Sequence, residues 1–219
     1  RRLSEAREWE QSEEAVRRGA ERFAAAGVPV PDAVTVGIFL GNPDRLAHCR
    51  GYTGVGSIPG YIQIFIAPND YNVKRIAACA AHELHHNVLF HGAWWSFMEE
   101  VTVARYLTLE GLAESFAESL YGPGALGPWV TGISDADLRK ARGLLRGKLG
   151  VQGFGAVSPF LYGDHPMLPP EKAIGMPYCG GYAAGYHAVQ AYMQKTGKSV
   201  EEITGMDGNA VMEASGYFD

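Results

Sequence analysis

Three histidines and one glutamate stand within five consecutive positions, in the stretch "AHELHHNVLF" at residues 81–90. On an α-helix, at about 100° per residue, His82 and His86 lie one turn apart on the same face, and Glu83 lies beside them. This is the H-E-x-x-H arrangement, in which two imidazoles bind zinc and the glutamate acts as general base toward water. The spacing predicts a Zn²⁺ site formed by His82 and His86, with Glu83 as the catalytic base.

The same stretch has a simpler interpretation, in which a histidine-rich helix packs in the core and its imidazoles form ordinary hydrogen bonds. His85 occupies a variable position of the motif and either lines a cleft or packs against a neighbouring element. Because five residues can match a motif by chance, the metal interpretation requires a helix around the motif, a third ligand and a cleft.

The segment around the motif has the pattern of a helix. Residues 71–90 contain neither glycine nor proline, and Asn69 and Asp70 just before them are residue types that cap helix N-termini. We therefore expect a helix from Tyr71 to Phe90 that carries the motif.

A second helical pattern supplies candidates for the third ligand. The stretch "EGLAESFAESL" at residues 110–120 places Glu110, Glu114 and Glu118 at successive i, i+4 positions on one face. Such carboxylates form either a solvated acidic face or a cation site, and the apolar residues among them favour the cation site. Two histidines, one carboxylate and a water form an established catalytic zinc set. Gly111 would let this helix approach the motif helix closely.

Together, "HELHH" and "EGLAE" resemble the gluzincin metallopeptidases. The resemblance implies Glu110 as the third zinc ligand, Glu114 as the acidic residue that orients a ligand histidine, and hydrolysis of peptide bonds as the activity. The segments "FLYGD" at residues 160–164 and "GYAAGYHAVQAYMQKTGKSVEEIT" at residues 181–204 are similar to a bacterial family of predicted zinc-dependent proteases. That resemblance covers about residues 34–215 and leaves out the first helix.

The C-terminal segment offers donors for the transition state. Tyr182, Tyr186 and His187 follow two glycines at the start of a predicted helix, and the two tyrosines share one face. A phenol or imidazole directed at the substrate carbonyl stabilises the negative charge that develops on its oxygen. One of these three is the expected catalytic donor. Alternatively, both tyrosines belong to the core and their hydroxyls bond to backbone.

Two apolar stretches predict the strands of a small sheet. The stretch "VTVGIFLG" at residues 34–41 predicts a buried strand, and "YIQIFIAP" at residues 61–68 predicts a second strand immediately before the motif helix. Between them, "GYTGVGSIPG" at residues 51–60 has the composition of a glycine-rich loop. The second strand is either interior or an exposed edge able to pair with an extended peptide.

The chain begins with the pattern of an amphipathic helix. Over residues 2–26 apolar side chains recur at helical spacing among many charges, and Gly27 ends the pattern. The apolar positions are Trp9, Val16, Ala20, Phe23 and Ala24. We therefore divide the chain into an N-terminal amphipathic helix at residues 1–27 and a metallopeptidase domain at residues 28–219. The domain is expected to be α+β and zincin-like, with a small sheet, the motif helix, the glutamate helix and C-terminal helices.

Composition argues against several other classes. The 219 residues are 47% hydrophobic and 20% charged, as in a globular domain, and the net charge of -5 gives no case for a nucleic-acid partner. We expect no membrane span, and the start "RRLSEAREWE" lacks the apolar core of a signal peptide. The scattered Cys49, Cys79 and Cys179 fit a reducing compartment, so a cytoplasmic location is expected.

The sequence therefore predicts a zinc metallopeptidase with Zn²⁺ as cofactor and a peptide or protein as substrate. The alternative is a noncatalytic metal-binding or regulatory module, in which the zinc site only stabilises the folded chain. An intact Glu83 favours the enzyme, because a purely structural site has no use for a base beside an open coordination position.

Overall fold

The computed structural model describes residues 1–92, 96–165 and 169–219. The chain folds as two units, the first formed by Arg1–Gly92 with Phe116–Pro128 and the second by Ala93–Ser115 with Trp129–Asp219. In chain order the elements are α1 (Arg2–Glu5), α2 (Glu8–Ala25), β1 (Thr35–Leu40), β2 (Tyr52–Ile58), β3 (Tyr61–Ile66), α3 (Ile76–Gly92), α4 (Phe97–Glu100), α5 (Val103–Tyr121), α6 (Pro128–Thr131), α7 (Asp135–Leu145), α8 (Phe154–Tyr162), α9 (Gly180–Thr196), α10 (Val200–Thr204) and α11 (Gly208–Ser215).

A small sheet accompanied by many helices confirms the expected α+β class. Among the described residues, no helix combines the length and the apolar character needed to cross a bilayer.

The sheet of the first unit has the strand order β1-β3-β2, with β1 parallel and β2 antiparallel to β3. In β3, Ile62, Ile64 and Ile66 are buried and alternate with more exposed residues, so only one face of the strand is covered. The predicted strand at Tyr61 is confirmed. It is an interior strand, and the possibility that it forms an exposed edge is wrong.

Residues 51–60, expected as a glycine-rich loop, contain the strand β2. Gly54 of β2 lies opposite Ile64 of β3 in the antiparallel ladder. The strand is hidden in the sequence because Gly54 and Gly56 stand where a strand normally carries large buried side chains.

The first predicted strand is also present, as β1, but it is not buried. It pairs only with β3 in the described sheet, and Phe39 and Leu40 are 47% and 77% exposed. An edge strand with one uncovered face explains this exposure.

The N-terminal pattern forms two helices in place of one. α1 and α2 are separated at Ala6 and Arg7, and Arg7 has a left-handed φ of 54°. Trp9, one of the predicted apolar positions, is 47% exposed, and α2 packs against α3 through Gly19, which faces Leu84. The buried residues of α2 are Glu8, Ser12, Ala15, Gly19 and Phe23.

The helix around the motif is confirmed, but α3 begins at Ile76 and not at Tyr71. The Asn69 side chain accepts hydrogen bonds from the backbone N–H groups of Tyr71 and Asn72 at 3.0 Å. Asn69 therefore caps a turn that precedes the helix.

The second unit is helical in its described residues, apart from an isolated bridge between Thr102 and Gln152. A Cβ atom at Gly111 of α5 would overlap the carbonyl oxygen of Gly185 in α9. The sequence predicted that Gly111 would allow close approach to the motif helix, but the helix that Gly111 approaches is α9. The reason is that Gly111 lies about 100° around α5 from Glu110.

Candidate functional site

The motif side chains lie in the buried part of α3. His82, Glu83 and His86 are 4%, 4% and 6% exposed. The Nε2 atoms of His82 and His86 are 3.0 Å apart, and the two rings meet edge to face. Two nitrogens bound at about 2.0–2.1 Å to one tetrahedral ion would lie about 3.3 Å apart. The histidine pair is therefore spaced to share one ion.

Glu110 of α5 completes a group of three. One ligand atom from each of His82, His86 and Glu110 lies within 4.8 Å of the others, and all three residues are buried. Two imidazoles and one carboxylate are the donors of catalytic zinc sites that keep one coordination position open. The three residues thus fit zinc both by donor chemistry and by proximity.

Glu114 lies one turn beyond Glu110 and is 2% exposed. The indole N–H of Trp129 donates a hydrogen bond of 2.5 Å to its Oε1 atom. Glu118, the third glutamate of this face, is only half-buried. The structure thus gives different surroundings to three carboxylates that have the same spacing in the sequence.

Strand β2 crosses directly over Glu83. A Cβ atom at Gly54 would overlap the Glu83 carboxylate, and one at Gly56 would overlap the Glu83 main-chain carbonyl. Only glycine leaves the space that this crossing needs. Neither glycine was identified from the sequence, although a G-x-G spacing places two glycines on one face of a strand.

Asn87, one turn after Glu83, binds the β2–β3 hairpin to α3. Its fully buried side chain makes four hydrogen bonds of 2.6–3.2 Å to the hairpin backbone. The partners are the carbonyl oxygens of Gly56, Ile58 and Tyr61 and the N–H of Gly60. Asn87 therefore helps to hold β2 at its position over Glu83.

His85 packs in the core. It is fully buried, and its ring centroid lies 5.9 Å from that of Phe23 and 6.3 Å from that of Phe116. Of the two alternatives for His85, packing against a neighbouring element is confirmed.

Three tyrosines near Glu110 pack against one another and form a group, the phenol cluster: Tyr106, Tyr162 and Tyr182. The hydroxyl oxygens of Tyr106 and Tyr162 are 2.7 Å apart, and the ring centroid of Tyr182 lies 5.9 Å from that of Tyr162. Burial, followed by the negative charge of Glu110, raises the pKa of Tyr182 well above its usual value. Burial also raises the pKa values of Tyr106 and Tyr162. The three hydroxyls therefore keep their protons at neutral pH.

Tyr106 and Tyr162 were not identified from the sequence. Tyr106 lies one turn before Glu110 on α5, so helical spacing could have drawn attention to it. Tyr162 belongs to the segment "FLYGD" on which the family resemblance rested, but no spacing relation connects that segment to Glu110.

Tyr186 and His187 have other neighbours. Tyr186 is 8% exposed, with its ring 5.2 Å from that of His187, and His187 stacks on Tyr217 at 6.4 Å. Burial lowers the pKa of His187, and Asp135 opposes this shift. Five positions separate His187 from Tyr182, which places it about 140° around α9. Of the three candidate donors, the structure brings Tyr182 into the phenol cluster.

Comparison with known proteins gives the following findings. A sequence model of the family described as "Predicted Zn-dependent protease (DUF2268)" matches residues 8–213. The Bacillus subtilis (strain 168) protein named "Uncharacterized protein YjfC" is 39% identical over 193 residues. The alignment covers 84% of this chain, which spans 62% of the length of that relative. No solved structure matches the chain. The family region begins at Glu8 and so includes α2, which the resemblance seen in the sequence left out.

Proposed function

Because this chain belongs to the family of predicted Zn-dependent proteases, we propose that it hydrolyses peptide bonds with a zinc ion held by His82, His86 and Glu110. The observation that carries the proposal is the buried group of two imidazoles and one carboxylate, with donor atoms within 4.8 Å. Zinc would supply a Lewis acid that polarises a peptide carbonyl and lowers the pKa of water to about 7.

Glu83 is the proposed general base. It follows His82 directly on α3, and its carboxylate occupies the space left by the missing side chain of Gly54. The β2 backbone limits the movement of this carboxylate, since Asn87 ties β2 to the same helix. A carboxylate held in this way can accept a proton from water without first being reoriented.

Tyr182 is the proposed donor to the substrate carbonyl oxygen as negative charge develops on it. Burial raises its pKa, so the hydroxyl stays protonated, and its ring packs against that of Tyr162 in the phenol cluster. Tyr186 and His187 are the other candidates for this role.

Glu114 is proposed to orient a zinc-binding histidine. The Trp129 indole N–H donates a hydrogen bond to one of its carboxylate oxygens, and a carboxylate can orient a metal-binding imidazole through its N–H. A carboxylate anchored on one side can position a histidine more firmly than a mobile one.

The proposed substrate is a peptide or a protein segment. Cys49, Cys79 and Cys179 are buried thiols that form no disulfide, which supports activity in a reducing compartment such as the cytoplasm.

Replacing Glu83 with Gln tests the proposal. We expect Glu83→Gln to keep its zinc and to lose at least about 100-fold in hydrolysis, because an amide cannot accept the proton from water. Elemental analysis measures the zinc, and mass spectrometry of a digested peptide library measures cleavage. His82→Ala is the matched control and should lose both the metal and the activity.

Two results would contradict this assignment. Near-normal cleavage by Glu83→Gln would remove Glu83 as the base. A wild-type protein that binds zinc but cleaves no peptide would instead favour the noncatalytic metal-binding or regulatory module.

A further inference from the structure

A cavity of 780 Å³ lies in the first unit, at the carboxyl ends of the parallel strands β1 and β3. Its walls come from the loop between β1 and β2 and from the segment that follows β3. The lining is mainly apolar and includes Leu40, Pro43, Ala47, Pro68 and Tyr71, together with the charged Arg50. None of the described residues that line it carries a carboxylate. The proposed hydrolytic mechanism gives this cavity no role.

Contacts hold both the main chain and the guanidinium group of Arg50. The Asn69 and Asn72 side chains donate hydrogen bonds of 3.1 Å and 3.2 Å to its main-chain carbonyl. Its guanidinium carbon lies 4.7 Å from the centroid of the Tyr71 ring. Within residues 1–92, 96–165 and 169–219, Arg50 forms no ion pair with a carboxylate. It therefore presents a positioned positive charge to the cavity.

Strand β2 connects this cavity to Glu83. Arg50 and Gly51 directly precede β2, and Gly54 of that strand lies over the Glu83 carboxylate. Fully extended, the four residues from Arg50 to Gly54 would span about 13 Å, and the left-handed φ of 55° at Arg50 makes the true separation shorter. An extended peptide that passes Glu83 would span this distance in four residues or fewer.

We propose that the cavity is a substrate subsite for an apolar residue next to a carboxylate, with Arg50 as the residue that determines specificity. The inference rests on the proposed function, and it places the carboxylate within about four positions of the cleaved bond. The apolar walls receive the apolar side chain, and Arg50 pairs with the carboxylate. Because Arg50 is exposed to solvent, the ion pair should contribute a preference of about two- to fivefold. This preference should decrease as salt is added.

The binding experiment uses labelled decapeptides that contain Leu-Asp or Leu-Asn and end in a free or an amidated C-terminus. Fluorescence anisotropy measures their binding to zinc-loaded Glu83→Gln protein, in which cleavage is prevented. We expect the Asp peptides to bind about two- to fivefold more tightly than the Asn peptides at low salt. Arg50→Gln should remove the difference, and Arg50→Lys should restore part of it.

Two further variants serve as controls. Arg45→Gln removes the same charge from the same loop, but Arg45 is exposed and does not line the cavity, so the Asp preference should persist. Ala47→Phe fills the cavity from its exposed wall and should weaken the binding of both peptides.

The outcomes separate the subsite from the hydrolytic function. Equal binding of Asp and Asn peptides with either C-terminus, or equal losses in the Arg50 and Arg45 variants, would overturn the subsite. A preference that follows the free C-terminus, and not the Asp side chain, would assign the carboxylate to the end of the peptide. If the wild-type protein cleaves none of the peptides while the Arg50-dependent preference persists, the subsite stands and hydrolysis fails.

Discussion

Three glutamates on one face of α5 show how surroundings assign the role of a residue. Glu110 joins two histidines, Glu114 accepts a hydrogen bond from Trp129, and Glu118 is half-buried. Their spacing is identical, so only the neighbours contributed by other elements distinguish them.

This difference predicts how two variants retain zinc. Glu110→Gln removes a charged oxygen from the metal, whereas loss of a carboxylate that orients a histidine costs about 10- to 100-fold in affinity or activity. We expect Glu110→Gln to lose zinc at chelator concentrations that Glu114→Gln survives, as measured by metal content after dialysis. Glu118→Gln, on the same helix, should behave like wild type. The opposite order of loss would make Glu114 the ligand, and equal retention would place the ligand elsewhere.

The phenol cluster predicts a kinetic difference between two tyrosines on α9. Tyr182→Phe should lower kcat by about 100-fold with little change in KM, because the lost donor acts on charge that develops in the transition state. Tyr186→Phe should have a smaller effect. Steady-state kinetics on a cleaved library peptide measures both variants. If kcat is unchanged in both of them and in His187→Ala, the donor is not on this helix.

Helices and strands differed in how well the sequence predicted them. The helix around His82, the glutamate helix and the strand β3 all have clear periodic patterns, and all three are present. The break at Arg7 depends on a left-handed backbone conformation, which hydrophobic spacing does not indicate. The delayed start of α3 depends on hydrogen bonds to the Asn69 side chain, so only its approximate position could be predicted.

The residues of the candidate site also differ in how well the sequence predicted their positions. His82, Glu83 and His86 are local to one helix, so their geometry follows from spacing within the sequence. The phenol cluster joins residues from α5, α8 and α9, and β2 reaches Glu83 from a distant part of the chain. Such contacts depend on tertiary packing, which the spacing of residues within one segment does not indicate.

Helix α2 buries a carboxyl group in its first turn. Glu8 is fully buried, its carboxylate oxygens have no hydrogen-bond partner among the described residues, and burial raises its pKa from 4.5 to about 7. The folded chain thus binds this proton more tightly than the unfolded chain. Folding stability should therefore fall as pH rises from about 4.5 through 7, by about 2–3 kcal/mol in all.

Glu8→Gln should remove this pH dependence. We compare the free energy of unfolding of the variant with that of wild type at each pH. The difference should be about 2–3 kcal/mol more in favour of the variant at pH 8 than at pH 4. Urea unfolding at the two pH values measures the effect, and Glu13→Gln on the exposed face of α2 is the control. A Glu8→Gln difference that is equal at both pH values would show that Glu8 is not desolvated.

At the scale of the whole molecule, zinc should stabilise the folded chain. An ion at about 100 times its dissociation constant adds about 2.7 kcal/mol if it binds only the folded state. For a chain of this length the melting temperature should rise by about 5–10 °C. Calorimetry with added zinc or with a chelator measures the shift.

Variants of two histidines on α3 control this measurement. His82→Ala should abolish the shift, whereas His91→Ala, at the exposed end of the helix, should leave it intact. A wild-type protein that melts at the same temperature with and without zinc would contradict the proposed metal site.

The crossing of β2 over Glu83 also limits which amino-acid substitutions the gene for this chain can accumulate. Every codon change that replaces a glycine by another amino acid introduces a Cβ atom, and at Gly54 and Gly56 that atom has no space. Val55 between them is 41% exposed and carries no such restriction. Mutational tolerance along this strand should therefore alternate with its pleat, so that the smallest residues are the least replaceable.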